Sequence, residues 1–426
     1  MKTIARVAAS LLFVAPAVQA QVRIEISGAN FRPLPIAVPA PLVEGAANGP
    51  AAAFDSALVF DLTAAGIFQF LDRKGYLADP GEGLTAASIR FPRWADVGAE
   101  ALVKTQISIE NGQLRARAKL FSVGSGREEL EIDHAVSPEQ PRQLAHYVAD
   151  ALYRHFTREP GPFQSHLAFV KRNGSSREVW FSDWDGDNAR RLTSGGLNVL
   201  PTVLPGGQGV AYTSYRSGKP DVYFQPLTGN PTALVRAGAM ATGVAYSPDG
   251  KRIAWAQSAG QGTQIWVAQA DGSGARAITD TPFFINSSPS WSPDGRQLAF
   301  VSDRAGSPQI YVMNADGTGI RRLTFQGNYN QTPEWSPRGD LIAFTARDER
   351  NAFDLFTIDV ATGKITRLTQ GQGNNEEPAF APNGRLIVFT STRNGWSQLM
   401  VMTYEGRNQV PLPVPRGDYM TPDWGP

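Results

Sequence analysis

The chain has 426 residues, 42% of them hydrophobic and 19% charged, with a formal net charge of +1, so it is long enough for two domains with ample core. No basic run or basic face stands out, which excludes the electrostatic footprint of a nucleic-acid or anionic-membrane binder. Cysteine is absent, and with it disulfides, thiol nucleophiles and thiolate metal sites.

Taken from the N-terminus, Lys2 and Arg6 flank the start of a short apolar core, Val7 to Val14, which Pro16 breaks. Val18-Gln19-Ala20 then supplies small residues for cleavage, so 1–20 reads as a signal peptide and Gln21 as the mature start. That core is too short for a membrane span, and no later stretch reaches the roughly 20 apolar residues a helix needs, so no direct membrane insertion is expected. Val22, Ile24 and Ile26 alternate with Arg23 and Glu25 as a strand, and 34–38 is a second. Residues 51–65 predict a helix with Phe54, Leu58, Leu62 and Ala65 on one face, and 101–109, 114–121 and 128–133 predict successive strands. Ser137 is placed to cap a helix from Pro138 to about Thr157, striped by Leu144, Val148, Leu152 and Phe156. The alternation gives a compact α/β domain over 34–160, and Glu159-Pro160-Gly161-Pro162 a short, stiff linker.

From 163 onward the sequence repeats. An aliphatic–small–aromatic triplet centres on Ala168, Ala211, Ala254, Ala299 and Ala343, and its sixth copy, Ile387-Val388-Phe389, on Val388. The spacing is 43 to 45 residues. A second strand follows each triplet, then a third, as in Arg322-Leu323-Thr324, and a fourth ending in an aromatic, as in Pro289-Ser290-Trp291. Pro-x-Gly turns such as Ser292-Pro293-Asp294-Gly295 and Asp-Gly hairpins such as Asp316-Gly317 join them. Short strands at this period predict a six-bladed β-propeller over 163–426, with an α/β domain before it. The repeat opens without a Pro-x-Trp strand and ends on an unaccompanied one, Pro422-Asp423-Trp424. The C-terminal strand is therefore expected to pair into the first blade and close the ring.

Catalytic signatures are missing: no Gly-x-Ser-x-Gly elbow, phosphate loop or His-Glu-x-x-His helix occurs. The four histidines, 134, 146, 155 and 166, lie before or at the entrance of the propeller, and His146 and His155 read as surface or core residues. Asp183-Trp184-Asp185-Gly186-Asp187 imitates a calcium loop, but its glycine comes two positions early and Ser194 stands where Glu is needed. It reads as a hairpin, and Arg338-Gly339-Asp340 as a turn. Trp291, Trp335 and Trp424 recur at blade positions as packing between sheets. Polar, mostly uncharged residues enter the innermost strands: Asn198; Met240 and Thr242; Asn286, Ser287 and Ser288; Asn330, Gln331 and Thr332; Asn375, Glu376 and Glu377; Met420 and Thr421. Six such loops converge on one rim, where amides and hydroxyls bind a partner at little desolvation cost.

Signal peptide, α/β domain and six repeats together resemble the TolB family, the periplasmic component of the Tol-Pal system of Gram-negative envelopes. The repeat alone is shared with other exported propellers. The specific part is the domain order with the mature start Gln21-Val22-Arg23-Ile24-Glu25-Ile26 and then Pro33-Leu34-Pro35-Ile36-Ala37-Val38-Pro39. The resemblance implies a non-enzymatic, monomeric periplasmic scaffold without cofactor or metal. It implies binding of the lipoprotein Pal at the propeller opening, through the rim residues just named. It implies binding of TolA through Gln21 to about Pro33, within which Gln21, Val22, Arg23, Ile24, Glu25 and Ile26 form the strand. The implied role is outer-membrane integrity and invagination during cell division. The sequence departs from the family at Ala239-Met240-Ala241-Thr242, which carries no histidine or long basic side chain. The alternative is an exported propeller enzyme, a polysaccharide lyase or hydrolase, which needs a paired acid and base or a metal. Glu376 and Glu377 are the only acidic pair on the rim, and neighbours on a regular strand point to opposite sides.

Overall fold

A computed structural model describes residues 31–426, apart from Ala78, Pro80 and Ala237. The signal peptide and the Gln21–Ile26 strand lie outside the described residues. The N-terminal domain runs β1 (Leu34–Ala37), β2 (Leu42–Val43), α1 (Asn48–Ala64), β3 (Phe68–Phe70), α2 (Phe91–Asp96), β4 (Ala101–Glu110), β5 (Gln113–Ser122), β6 (Arg127–Val136) and α3 (Pro141–Thr157). The sheet order is β3-β1-β4-β5-β6, with β2 also against β4. The parallel pairs involve β1 and β2, and the β4–β5–β6 meander is antiparallel. Asn111 and Gly112, both at positive φ, make the two-residue turn that fixes the β4–β5 register. Phe54, Leu58 and Leu62 of α1, with Leu144, Val148, Leu152 and Phe156 of α3, are buried against Val103, Ile107 and Leu120 of the sheet. Trp94 of α2 closes the other face over Leu102 and Phe121.

Ser137 does not cap α3. Its hydroxyl bonds Glu139, and the helix starts three residues later than expected, behind the uncapped Gln140. Pro141 has no N–H to satisfy and its fixed φ suits the first helical position, so it sets the start instead.

Six four-stranded sheets form the propeller. Innermost strands are Tyr419–Gly425 in blade 1, Asn198–Val203 in blade 2, Ala241–Tyr246 in blade 3, Asn286–Trp291 in blade 4, Asn330–Trp335 in blade 5 and Asn375–Phe380 in blade 6. The repeat aromatics meet across the next two strands: Phe169 opposite Trp180, Tyr212 opposite Tyr223, Trp255 opposite Trp266, Phe300 opposite Tyr311, Phe344 opposite Phe356. Four of these pairs lie with ring centroids 5.7–6.2 Å apart, each contributing about 0.5–1.5 kcal/mol beyond burial. The small residue of each triplet is buried and lets neighbouring sheets approach closely. Blade 1 closes as expected, with Asp423 opposite Ala168 and Trp424 opposite Leu167.

Candidate functional site

The innermost strands all begin at one face, the rim, and share one irregularity. Their third residues, Leu200, Gly243, Ser288, Thr332, Glu377 and Thr421, have φ between +46° and +64°, and each blade slips register at that point. Six β-bulges therefore ring the channel mouth and turn a residue toward it from every blade. Left-handed backbone costs a non-glycine residue about 1–2 kcal/mol, and strain of this kind concentrates at functional sites. The mouth and the channel below enclose about 140 and 360 Å³.

The predicted rim residues divide into two groups. Asn198, Asn286, Asn330 and Asn375 are buried and donate their amide N–H groups inward: Asn198 to Gly195 O (2.8 Å), Asn286 to Thr281 Oγ1 (2.8 Å), Asn330 to Gln309 Oε1 (2.8 Å), Asn375 to Asp354 Oδ1 (3.3 Å). They shape the loops and leave presentation to others. Met240 is exposed, and Thr242, Ser287, Ser288, Gln331, Thr332, Glu376, Glu377, Met420 and Thr421 are partly so. The bulge interrupts strict alternation at Glu377, so Glu376 and Glu377 feel each other's charge.

Two acids of the channel escaped sequence reading, Glu334 and Asp423. Their signal was the central residue of Pro-x-Trp: with the aromatic buried between sheets, its neighbour must face the channel. Burial, with the charge of Asp423, pushes Glu334 up to about 8. Burial lifts Asp423 to about 6, against a bond from Val203 N–H, and Glu377 to about 7, against a bond from Thr421 N–H. These groups stitch blade to blade. Asp423 Oδ2 accepts from Val203 N–H (2.7 Å), Thr202 Oγ1 donates to Val244 O (2.7 Å) and Trp291 Nε1 to Ala245 O (3.2 Å). Ser290 Oγ accepts from Trp335 N–H (2.9 Å) and donates to Glu334 (3.3 Å), and Glu377 accepts from Thr421 N–H (2.5 Å).

The opposite face carries the N-terminal domain. Glu159 of the linker accepts from Arg385 Nε (2.7 Å) and Arg338 Nη1 (3.2 Å), so the linker is a bonded junction. Asp185, in the hairpin that imitates a calcium loop, is fully buried and held by Arg142. His146 reaches Asp61 Oδ2 through Nδ1 at 2.7 Å and Asp185 Oδ2 through Nε2 at 3.4 Å, and Trp184 Nε1 donates to Asp61 Oδ1 (3.2 Å). Burial alone would lower the imidazole, but the two aspartates outweigh it and lift His146 to about 9. Among the described residues no three His, Asp or Glu side chains are placed to hold a metal ion, and no helix is long and apolar enough to cross a membrane.

Comparison with known proteins matches the TolB amino-terminal domain over residues 22–129 and the TolB β-propeller domain over 153–426. The chain is 63% identical over 404 residues to the Tol-Pal system protein TolB of Myxococcus xanthus, covering 95% of this chain and 94% of that one. It is 48% identical over 423 residues to the corresponding protein of Anaeromyxobacter dehalogenans, covering 98% and 97%. The crystal structure of TolB from Acinetobacter baumannii superposes with a TM-score of 0.80 at 25% identity, over 93% of this chain and 97% of that one.

Proposed function

The chain belongs to the TolB family of Tol-Pal system proteins, and from that membership we propose that it is a non-enzymatic periplasmic scaffold. In this reading the rim binds Pal, the segment from Gln21 to about Pro33 binds TolA, and the assembly supports outer-membrane integrity and invagination during division. One observation carries the rim's part. Of the twelve exposed large apolar side chains among the described residues, eight lie on the rim face: Leu197, Leu200, Tyr215, Met240, Phe283, Phe284, Ile285 and Phe325. Grouped exposure on a face clear of the other domain is the mark of an interaction surface. A scaffold role is supported by the channel acids, whose carboxylates bond neighbouring strands.

Titration calorimetry of the mature protein against the soluble domain of Pal from the same organism tests the reading. Gln331→Ala with Thr332→Gly, and separately Glu376→Ala with Glu377→Gln, which keeps the acceptor for Thr421 N–H, should each weaken binding roughly tenfold, a cost of about 1–2 kcal/mol, with the fold intact. Glycine at 332 keeps the left-handed backbone free of strain. Affinity unchanged by both pairs would place the Pal site elsewhere.

A further inference from the structure

The rim is not level. In blade 3 the second and third strands, Arg252–Ala259 and Gly262–Gln269, each have eight residues, against six in blades 2 and 4. Ile253 pairs with Tyr246 as Val210 pairs with Val203, so the extra residues lie at the rim end. At about 3.4 Å per residue the hairpin stands about 7 Å higher than its neighbours.

The connections on both sides are fastened to this hairpin. On one side Met240 N–H donates to Ser258 Oγ (3.0 Å) and Ser258 N–H to Met240 O (2.9 Å). On the other, Thr263 N–H donates to Phe284 O (3.0 Å), in a parallel bridge with Ile285, while Ile285 N–H donates to Asp303 Oδ1 of blade 4 (2.8 Å). Gly262 lies so near that a Cβ there would stand 2.5 Å from Phe284 O. On this frame Met240, Phe283 and Ile285 are 55%, 68% and 52% exposed.

Phe283 has φ +73°, where a bulky side chain is a true outlier. The strain brings no burial in return. What it brings is an aromatic ring presented on a backbone fixed from two sides, with the ordering cost of binding already met in the free protein. The feature is convex, so it fits a concavity and not an extended peptide. It is continuous with the channel mouth, because Thr242 follows Met240 by two residues and Ser287 follows Ile285 by two.

We propose that this ridge, Met240, Phe283 and Ile285 on the connections flanking the blade 3 hairpin, is the apolar anchor of the rim and seats in an apolar concavity of the folded partner bound there. The inference rests on the rim reading above and names the side chains that carry most of its affinity. Phe283→Ala and Ile285→Ser should each raise the Kd for the soluble domain of Pal 10- to 100-fold with Tm unchanged. Phe283→Gly should lose binding equally while Tm stays level or rises, since glycine accepts the backbone and no packed contact is removed. If both ridge variants stay within twofold of wild type while the Gln331/Thr332 variant still weakens binding, the ridge is not the anchor and the rim reading stands. If neither set moves the affinity, both fall. Free protein that sediments as a dimer, and as a monomer after Phe283→Ala, would make the ridge a self-contact and overturn the proposal.

Discussion

His146 holds a proton because Asp61 and Asp185, almost wholly buried like the imidazole itself, lie on its two nitrogens. Its folded pKa, about 9 against an ordinary 6.5, fixes the sign of the pH dependence. The stabilisation is complete below 6.5 and is lost as pH rises through about 9. Wild-type Tm should therefore fall between pH 7 and 9.5. Asp61 is raised to about 7 by burial, against the pull of His146, so in His146→Gln it keeps its proton to higher pH, and loss of the ion pair costs about 3–5 kcal/mol. Melting curves should show the variant lower at pH 7. A wild-type Tm that stays level between pH 7 and 9.5 would mean that His146 does not titrate there. In the sequence this residue reads as core or surface only, because its partners are 85 and 39 positions away and nothing local announces them. Glu334 and Asp423 were hidden differently: the aromatic beside each dominated its motif, and only the closed ring shows where the middle residue points.

At the scale of elements, the closing strand tests the ring most directly. Trp424 is buried, stacks on Trp184 with centroids 5.7 Å apart and planes 4° off parallel, and donates Nε1–H to Ser165 Oγ (2.7 Å). Trp424→Ala should cost about 3–5 kcal/mol. Deleting 421–426 should cost more, because it strips most of the innermost strand from blade 1 and leaves the strand His166–Asn173 with an unpaired inner edge. A truncated protein that melts within a degree or two of the full chain would refute closure as a source of stability. Blades were legible because each repeats its own chemistry: the aromatic, the small residue and the Pro-x-Gly turn stand at a constant period, and one poor copy is outvoted by five. The bulges were legible only in part. Leu200, Ser288, Thr332, Glu377 and Thr421 share no side-chain feature, but each is followed by a proline, which within a sheet is confined to edges and bulges. Ser137 misled for a related reason, a good cap residue standing three positions too early for the proline that sets the helix.

For the whole molecule, the described end of the proposed TolA segment and the proposed Pal rim lie on opposite faces. The N-terminal domain covers hairpins of blades 1, 5 and 6 through Asp185, Arg338 and Arg385, and the rim stays clear of it. Phe31, the first described residue, lies under the Arg407 guanidinium at 4.2 Å, and Arg32 pairs with Glu100 at 3.1 Å. Residues 31–33 thus join the molecule at the domain junction, on the face opposite the channel mouth. Deleting 21–33 should abolish capture of TolA while Pal affinity changes less than tenfold, because no rim residue is removed. Any influence of one partner's binding on the other's is a coupling free energy, and such coupling is reciprocal. TolA affinity should differ with and without saturating Pal, and Pal affinity should differ by the same factor with and without TolA. Capture of TolA by the truncated protein would refute the segment's role, and a TolA affinity indifferent to Pal would show that the two faces act independently.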